Sequence, residues 1–256
     1  MRAGFFGAIF DVDGVLVDSP HERAWGDTLR ELMETDWSDV RSSTTYSPER
    51  FTPHVYGSVV AGKPRMSGAR AALDHFNVPD AGARAEVYAA RKQQRVLELI
   101  EAGEFTAFPD ALRFVLALAD RGLRIAAASS SKNAGLMLAQ IRLDTFAASV
   151  LRPHLTLRDV FEVDISGRDF AHGKPDPAIY VTAVEELGLA PRECFVVEDA
   201  VAGIEAARAA GIAALGVARG DDAGLLAAAG ADLVVTTLDD VAVDRLAVGE
   251  LALRGR

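Results

Sequence analysis

Cysteine is almost absent from this chain: Cys194 stands alone among 256 residues. An internal disulfide is therefore excluded, and the usage fits a reducing compartment, so a cytoplasmic location is expected. Cys194 opens the apolar run "CFVVED", which suits a buried structural thiol. Basic charge is also in short supply. Lys and Arg number 27 against 37 Asp and Glu, a formal net charge of −10. That balance disfavours nucleic acid or an anionic membrane as partner, since either needs a basic face. Long apolar runs are missing too, and nothing approaches the roughly 20 continuous apolar residues of a membrane span. A cleaved leader is rejected, because removing "MRAGFFGAIFDVDG" would remove its acidic motif. No internal repeat or low-complexity tract occurs. What is present is ordinary for a globular protein: half the residues are hydrophobic and 25% are charged. The length suits one large α/β domain or a domain carrying an inserted subdomain.

Short apolar runs ending in small or acidic residues lie at 5–10, 123–128, 195–197, 213–217 and 232–235. Amphipathic stretches at 109–121, 134–141, 177–187, 201–210 and 223–229 alternate with them. This alternation predicts an α/β fold, a doubly wound, Rossmann-like parallel sheet covered on both faces. In such sheets ligands bind at the carboxyl ends of the strands, so polar residues closing separate strands converge. From about residue 20 to 104 the rhythm breaks. "HERAWGDTLRELMETD", "GARAALDHF" and "RAEVYAARKQQRVLELI" are helix-like, with the polar, aromatic "SSTTYSPERFTPHVYG" as an irregular connection. The expected division is a catalytic core of residues 1–18 and 105–256, with a helical cap of residues 19–104 inserted after the first strand.

"AIFDVDGVLVDS" places Asp11, Asp13 and Asp18 at the end of an apolar strand. Like charges about 4 Å apart at an effective dielectric near 20 repel by roughly 4 kcal/mol, so the cluster needs a cation or a division of roles. Phosphoryl transfer supplies both. A carboxylate attacking an anionic phosphate needs a hard cation between them, and Mg²⁺ takes carboxylate oxygens, waters and substrate phosphate. A lysine and a hydroxyl can hold the remaining phosphoryl oxygens, and a second carboxylate can move the proton. Candidates follow other strands: Ser129 in "AASSS", Lys174 in "GKPDP", Glu198 and Asp199 in "VVEDA". Asp18 is expected to cap the following helix.

These four motifs, in this order, resemble the signatures of the haloacid dehalogenase superfamily of phosphotransferases and span residues 8–200. The resemblance implies that Asp11 is a nucleophile forming an aspartyl phosphate and Asp13 the general acid/base. Ser129 and Lys174 would bind phosphoryl oxygens, and Asp11, Asp13, Glu198 and Asp199 would hold Mg²⁺. Asp13 argues against the carbon-attacking dehalogenases of the superfamily, which need no second aspartate. A signalling receiver domain is disfavoured because its phosphoacceptor follows the third strand. A silent scaffold is disfavoured because both Asp11 and Lys174 are present.

Within the superfamily the insertion resembles that of the β-phosphoglucomutase group. "DSPHERAW" supplies His21 and Trp25, "AGKPR" supplies Arg65, "ARKQQ" supplies Lys92, and "SSSKN" supplies Ser131, Lys132 and Asn133. The resemblance implies that these residues bind a small sugar phosphate, with Arg65 and the Ser131–Asn133 loop as a second anion site. It departs from the group at Gly68, where a serine is expected, in a longer stretch before Arg65, and in an insertion near 144–157. The implied activity is conversion of β-glucose 1-phosphate to glucose 6-phosphate by a monomer, with sugar-phosphate hydrolysis as the alternative.

Overall fold

The computed structural model describes residues 4–61, 63–146 and 152–255. Two compact units emerge: Met1–Asp18 with Thr106–Arg256, and Ser19–Phe105.

The first unit is built on six parallel strands in the order β5-β4-β1-β6-β7-β8. They are β1 (Gly7–Phe10), β4 (Arg124–Ala127), β5 (Val163–Asp164), β6 (Cys194–Glu198), β7 (Ala213–Val217) and β8 (Leu233–Val235). Central β1 and β6 are buried along their whole length, which is why they read as continuous apolar runs rather than alternating ones. Helices α5 (Pro109–Asp120), α6 (Ala134–Gln140), α7 (Leu143–Phe146), α8 (Ala178–Glu186), α9 (Val201–Ala209) and α10 (Ala223–Ala228) connect them. Ile179, Tyr180, Ala183 and Val184 of α8 pack with Ile204 and Ala207 of α9 against Ile9 and Val196, a 3.6-residue stripe meeting a sheet face. Cys194 is fully buried in this core, and burial pushes its thiol up to about 12. The strand and helix positions agree with the sequence pattern to within one or two residues. The two-residue β5 is additional, and residues 147–151 of the predicted insertion lie outside the described residues.

A short antiparallel ribbon, β2 (Val17–Asp18) against β3 (Thr106–Ala107), marks where the chain leaves and re-enters this unit. Asp18 therefore lies in a strand. It does not cap the next helix, whose N-cap is Pro20 with no side-chain hydrogen bond.

The second unit is helical. It comprises α1 (His21–Glu34), α2 (Pro53–Val55), α3 (Arg65–His75) and α4 (Ala81–Glu101), with 3₁₀ turns at Arg41–Ser43 and Pro48–Arg50 and a π turn at Tyr56–Val60. Trp25, Leu29, Leu32 and Met33 line one face of α1 and pack with Ala69, Leu73, Tyr88 and Ala89. The connection expected to be irregular is thus a series of single helical turns. No helix among the described residues is long and apolar enough to cross a membrane.

Candidate active site

The strand order reverses direction at β1: the chain passes to β4 and β5 on one side, then to β6, β7 and β8 on the other. Ligands bind at this switch point in open α/β sheets. Asp11 follows β1, Ser129 lies just beyond β4, Glu198 closes β6, and Lys174 occupies the loop between β5 and α8.

Lys174 ties the motifs together. Its Nζ donates to Asp11 Oδ1 and to Glu198 Oε1, each at 2.6 Å, and sits 5.0 Å from the centroid of the Tyr180 ring. All three charged groups are sequestered, with side-chain exposures of 10% for Lys174, 10% for Asp11 and 1% for Glu198. Burial disfavours the lysine's charge, but Asp11 and Glu198 outweigh it and hold its pKa well above the usual value. For Asp11 burial dominates over the pull of Lys174, and with Glu198 and Asp13 nearby its carboxyl is pushed up to about 7. Asp199 is likewise raised well above the carboxylate range, first by burial and then by the charges of Glu198 and Asp11. Such crowding of carboxylates is what a divalent cation relieves.

Glu198 behaves differently. Burial pushes it up, but Lys174, the Ala200 N–H and the Tyr180 hydroxyl pull it below its ordinary value. Tyr180 Oη donates to Oε1 at 2.7 Å, and the backbone N–H groups of Asp199 and Ala200 donate to Oε2, both at 2.9 Å. With Lys174, these donors occupy the four lone-pair positions of a carboxylate. Glu198 thereby anchors Lys174.

Two glycines make room for these groups. A Cβ on Gly203 would lie 1.8 Å from Glu198 Oε1, and one on Gly14 would lie 1.8 Å from Asp199 Oδ2. Gly14 also has φ +80°, a conformation that favours glycine. Ser129 Oγ donates to Asp13 Oδ2 at 3.1 Å and accepts the Ser131 N–H at 3.0 Å. The loop after β5 braces this turn, since Gly167 N–H donates to the Ser129 carbonyl at 2.9 Å. Of the remaining loop residues, Asn133 is buried and the exposed Lys132 pairs with Asp169 at 2.7 Å.

No three His, Cys, Asp or Glu side chains among the described residues form a ready-made metal centre. Mg²⁺ does not need one, because it is held by one or two carboxylates with waters and substrate phosphate. Asp11 and Asp199, both oxygen donors with raised pKa values beside the Gly14 turn, fit that requirement.

In the second unit three predicted residues meet. Lys92 is 5% exposed, its Nζ lies 3.3 Å from His21 Nδ1 and 4.8 Å from the Trp25 ring centroid. Tyr88 Oη fixes Trp25 by donating to its carbonyl at 2.8 Å. Gly68 packs against Trp25 and Val60. Arg65 is exposed at the start of α3.

A family model for haloacid dehalogenase-like hydrolases matches residues 7–211. The chain belongs to that family. This haloacid dehalogenase-like hydrolase is similar to β-phosphoglucomutase of Mycobacterium bovis, at 32% identity over 252 residues covering 91% of this chain and 90% of that protein. It is similar also to hexitol phosphatase A of Escherichia coli, at 28% identity over 248 residues covering 97% and 98%. The solved structure of an archaeal β-phosphoglucomutase from Pyrococcus aligns with a TM-score of 0.68 and 27% identity, covering 95% of this chain and 99% of that one. The chain thus falls in the β-phosphoglucomutase-like group, as an enzyme of phosphotransferase or phosphatase type.

Two residues of this haloacid dehalogenase-like hydrolase escaped the sequence reading. Tyr180 reads as an apolar core position of α8, and only its hydroxyl, buried beside a charged strand end, signals more. Arg219 follows β7 and reaches the turn after Asp13, a contact that no local pattern announces.

Proposed function

We propose that the protein is a Mg²⁺-dependent phosphotransferase acting on sugar phosphates through an aspartyl phosphate, with β-phosphoglucomutase activity as the best-supported reading. The observation carrying this reading is the Asp11–Lys174–Glu198 array at the sheet's switch point, with Ser129 bound to Asp13 beside it. Asp11 attacks phosphorus and Asp13 moves the proton of the leaving or entering hydroxyl. Lys174, held by Glu198, offsets negative charge on the phosphoryl oxygens, and Ser129 donates to them once it lets go of Asp13. Asp11, Asp199 and the Asp13 carbonyl, with Glu198 in the expected set, would hold Mg²⁺, which would supply positive charge against the carboxylate and the phosphate.

His21, Trp25 and Lys92, with Arg65 and the Ser131, Lys132 and Asn133 loop, are proposed to recognise the sugar phosphate. A mutase must favour a clamped sugar hydroxyl over water, and well-oriented groups reach effective molarities of about 10⁵–10⁸ M. Hydrolysis is the second reading, supported by the nearly full-length similarity to hexitol phosphatase A. The test is incubation with Mg²⁺, β-glucose 1-phosphate and catalytic glucose 1,6-bisphosphate. Appearance of glucose 6-phosphate is expected. Release of inorganic phosphate without isomerised sugar would replace the mutase by a phosphatase, and full turnover in chelator would remove the metal from the account.

A further inference from the structure

Arg219 spends its guanidinium on the turn that follows the paired aspartates. Its Nε donates to the Gly14 carbonyl at 3.2 Å and its Nη2 to the Val15 carbonyl at 3.0 Å. Its Nη1 donates to Asp110 Oδ2 at 2.8 Å. The same Oδ2 accepts the Leu238 N–H at 2.8 Å and the Thr237 hydroxyl at 3.2 Å. The guanidinium also lies over the Phe108 ring, 3.9 Å from its centroid.

The turn needs such a partner. Within it the Gly14 N–H donates to the Val17 carbonyl, and the Leu16 and Val17 N–H groups both donate to the Val12 carbonyl. The Gly14 and Val15 carbonyls take no part in those bonds; Val15 is buried and Gly14 half-buried, and carbonyls withdrawn from water require a donor. A planar fork of donors, fixed at one end by a carboxylate and braced by an aromatic face, defines position better than a flexible ammonium. What it positions matters for chemistry. Gly14 directly follows Asp13, and its α-carbon lies so close to the Asp199 carboxylate that a methyl group would not fit.

We infer that Arg219 is a positioning residue for phosphoryl transfer, fixing the Gly14–Val15 backbone so that Asp13 and Asp199 keep their places relative to Asp11. This inference rests on the phosphotransferase reading above. A group that acts on placement alters the rate and metal affinity rather than stability alone.

The test compares wild type with Arg219→Lys, Asp110→Asn and, as a control, Arg113→Ala, which removes an exposed pair with Asp239. Three quantities are read: melting temperature, kcat and KM for p-nitrophenyl phosphate with Mg²⁺, and the dissociation constant for Mn²⁺ by electron paramagnetic resonance. Arg219→Lys is expected to lower kcat about 10- to 100-fold with little change in KM, and to weaken Mn²⁺ binding about tenfold. Asp110→Asn, which keeps the guanidinium but loosens its anchor, is expected to shift both the same way by less. Arg113→Ala is expected to match wild type. A lowered melting temperature in Arg219→Lys with wild-type kcat and Mn²⁺ affinity would reduce Arg219 to a structural anchor and overturn the inference. If Arg219→Lys does not fold, Asp110→Asn decides by the same criteria. A folded wild type that turns over no phosphomonoester would sink the phosphotransferase reading, and the Mn²⁺ comparison would then judge Arg219 by itself. A wild type that binds no Mn²⁺ would overturn both.

Discussion

Replacing Gly203 by alanine sets two effects of opposite sign against each other. Gly203 lies in the first turn of α9, where alanine is favoured over glycine by at most about 1 kcal/mol, so propensity alone predicts a more stable protein. Yet the new methyl carbon would stand 1.8 Å from Glu198 Oε1 and 2.0 Å from its Cδ. The carboxylate must retreat by more than an ångström, and it cannot do so freely because Lys174, Tyr180 and two backbone N–H groups hold it. Hydrogen bonds to a buried charge contribute about 1.5–3 kcal/mol each, so losing two costs about 3–6 kcal/mol. After the helical gain, the net destabilisation is about 2–5 kcal/mol, a fall in Tm of about 4–20 °C for a chain of this size. Lys174 loses its anchor at the same time, so turnover of p-nitrophenyl phosphate should fall by about two orders of magnitude. Gly82→Ala in α4 provides the control, because the atom nearest its added carbon is 3.8 Å away. It should leave Tm unchanged or raise it. The assay is differential scanning calorimetry with steady-state kinetics. A Gly203→Ala protein that melts at or above the wild-type temperature and turns over normally would refute the reasoning that a fixed Glu198 carboxylate fills this space.

Tyr180→Phe removes one donor to Glu198 and should cost about 1.5–3 kcal/mol while slowing aryl phosphate turnover; an unchanged Tm would show the hydroxyl to be idle. Asp110 gives a pH-dependent prediction. Burial pushes its carboxyl up, but Arg219 and the Leu238 N–H prevail and hold it below the usual range. A depressed carboxyl stabilises the fold fully above its unfolded value of about 3.9 and loses that contribution as pH falls through the folded one. Asp110→Asn should therefore be less stable than wild type by about 1–3 kcal/mol at pH 7, with the gap narrowing below about pH 4; a constant gap would contradict this. Arg65→Ala should raise KM for the sugar phosphate while sparing p-nitrophenyl phosphate, and an equal loss on both substrates would deny Arg65 a role as a distal anchor.

The sheet was legible because its strands are buried on both faces and end in chemistry-bearing residues, so apolar runs and motifs mark the same places. β5 carries no such signal, being two residues long. Asp18 misled because its position before a helix suits a cap, whereas tertiary pairing with Thr106 draws it into a strand. Lys92 reads equally well as a solvated helix residue, and only packing of α4 against α1 buries it beside Trp25. The Arg219–Asp110 link depends on elements more than a hundred residues apart, brought together by sheet topology rather than by local pattern. The motif marks Glu198 as an acidic strand end, but its hydrogen-bond donors are not all local. Tyr180, which completes its set of donors, lies on another element.

The small ribbon at residues 17–18 and 106–107 bears on how the chain acquires its structure. Gly7 must find Arg124, over a hundred residues later, to start the sheet. When the helical segment has already folded and Val17 lies against Ala107, the effective loop shrinks to about thirty residues, which lowers the entropic barrier to closure by about 1 kcal/mol. Local contacts form fastest, so the inserted helices serve as a folding clasp: protection from hydrogen exchange should arise in α1, α3 and α4 before it arises in β1.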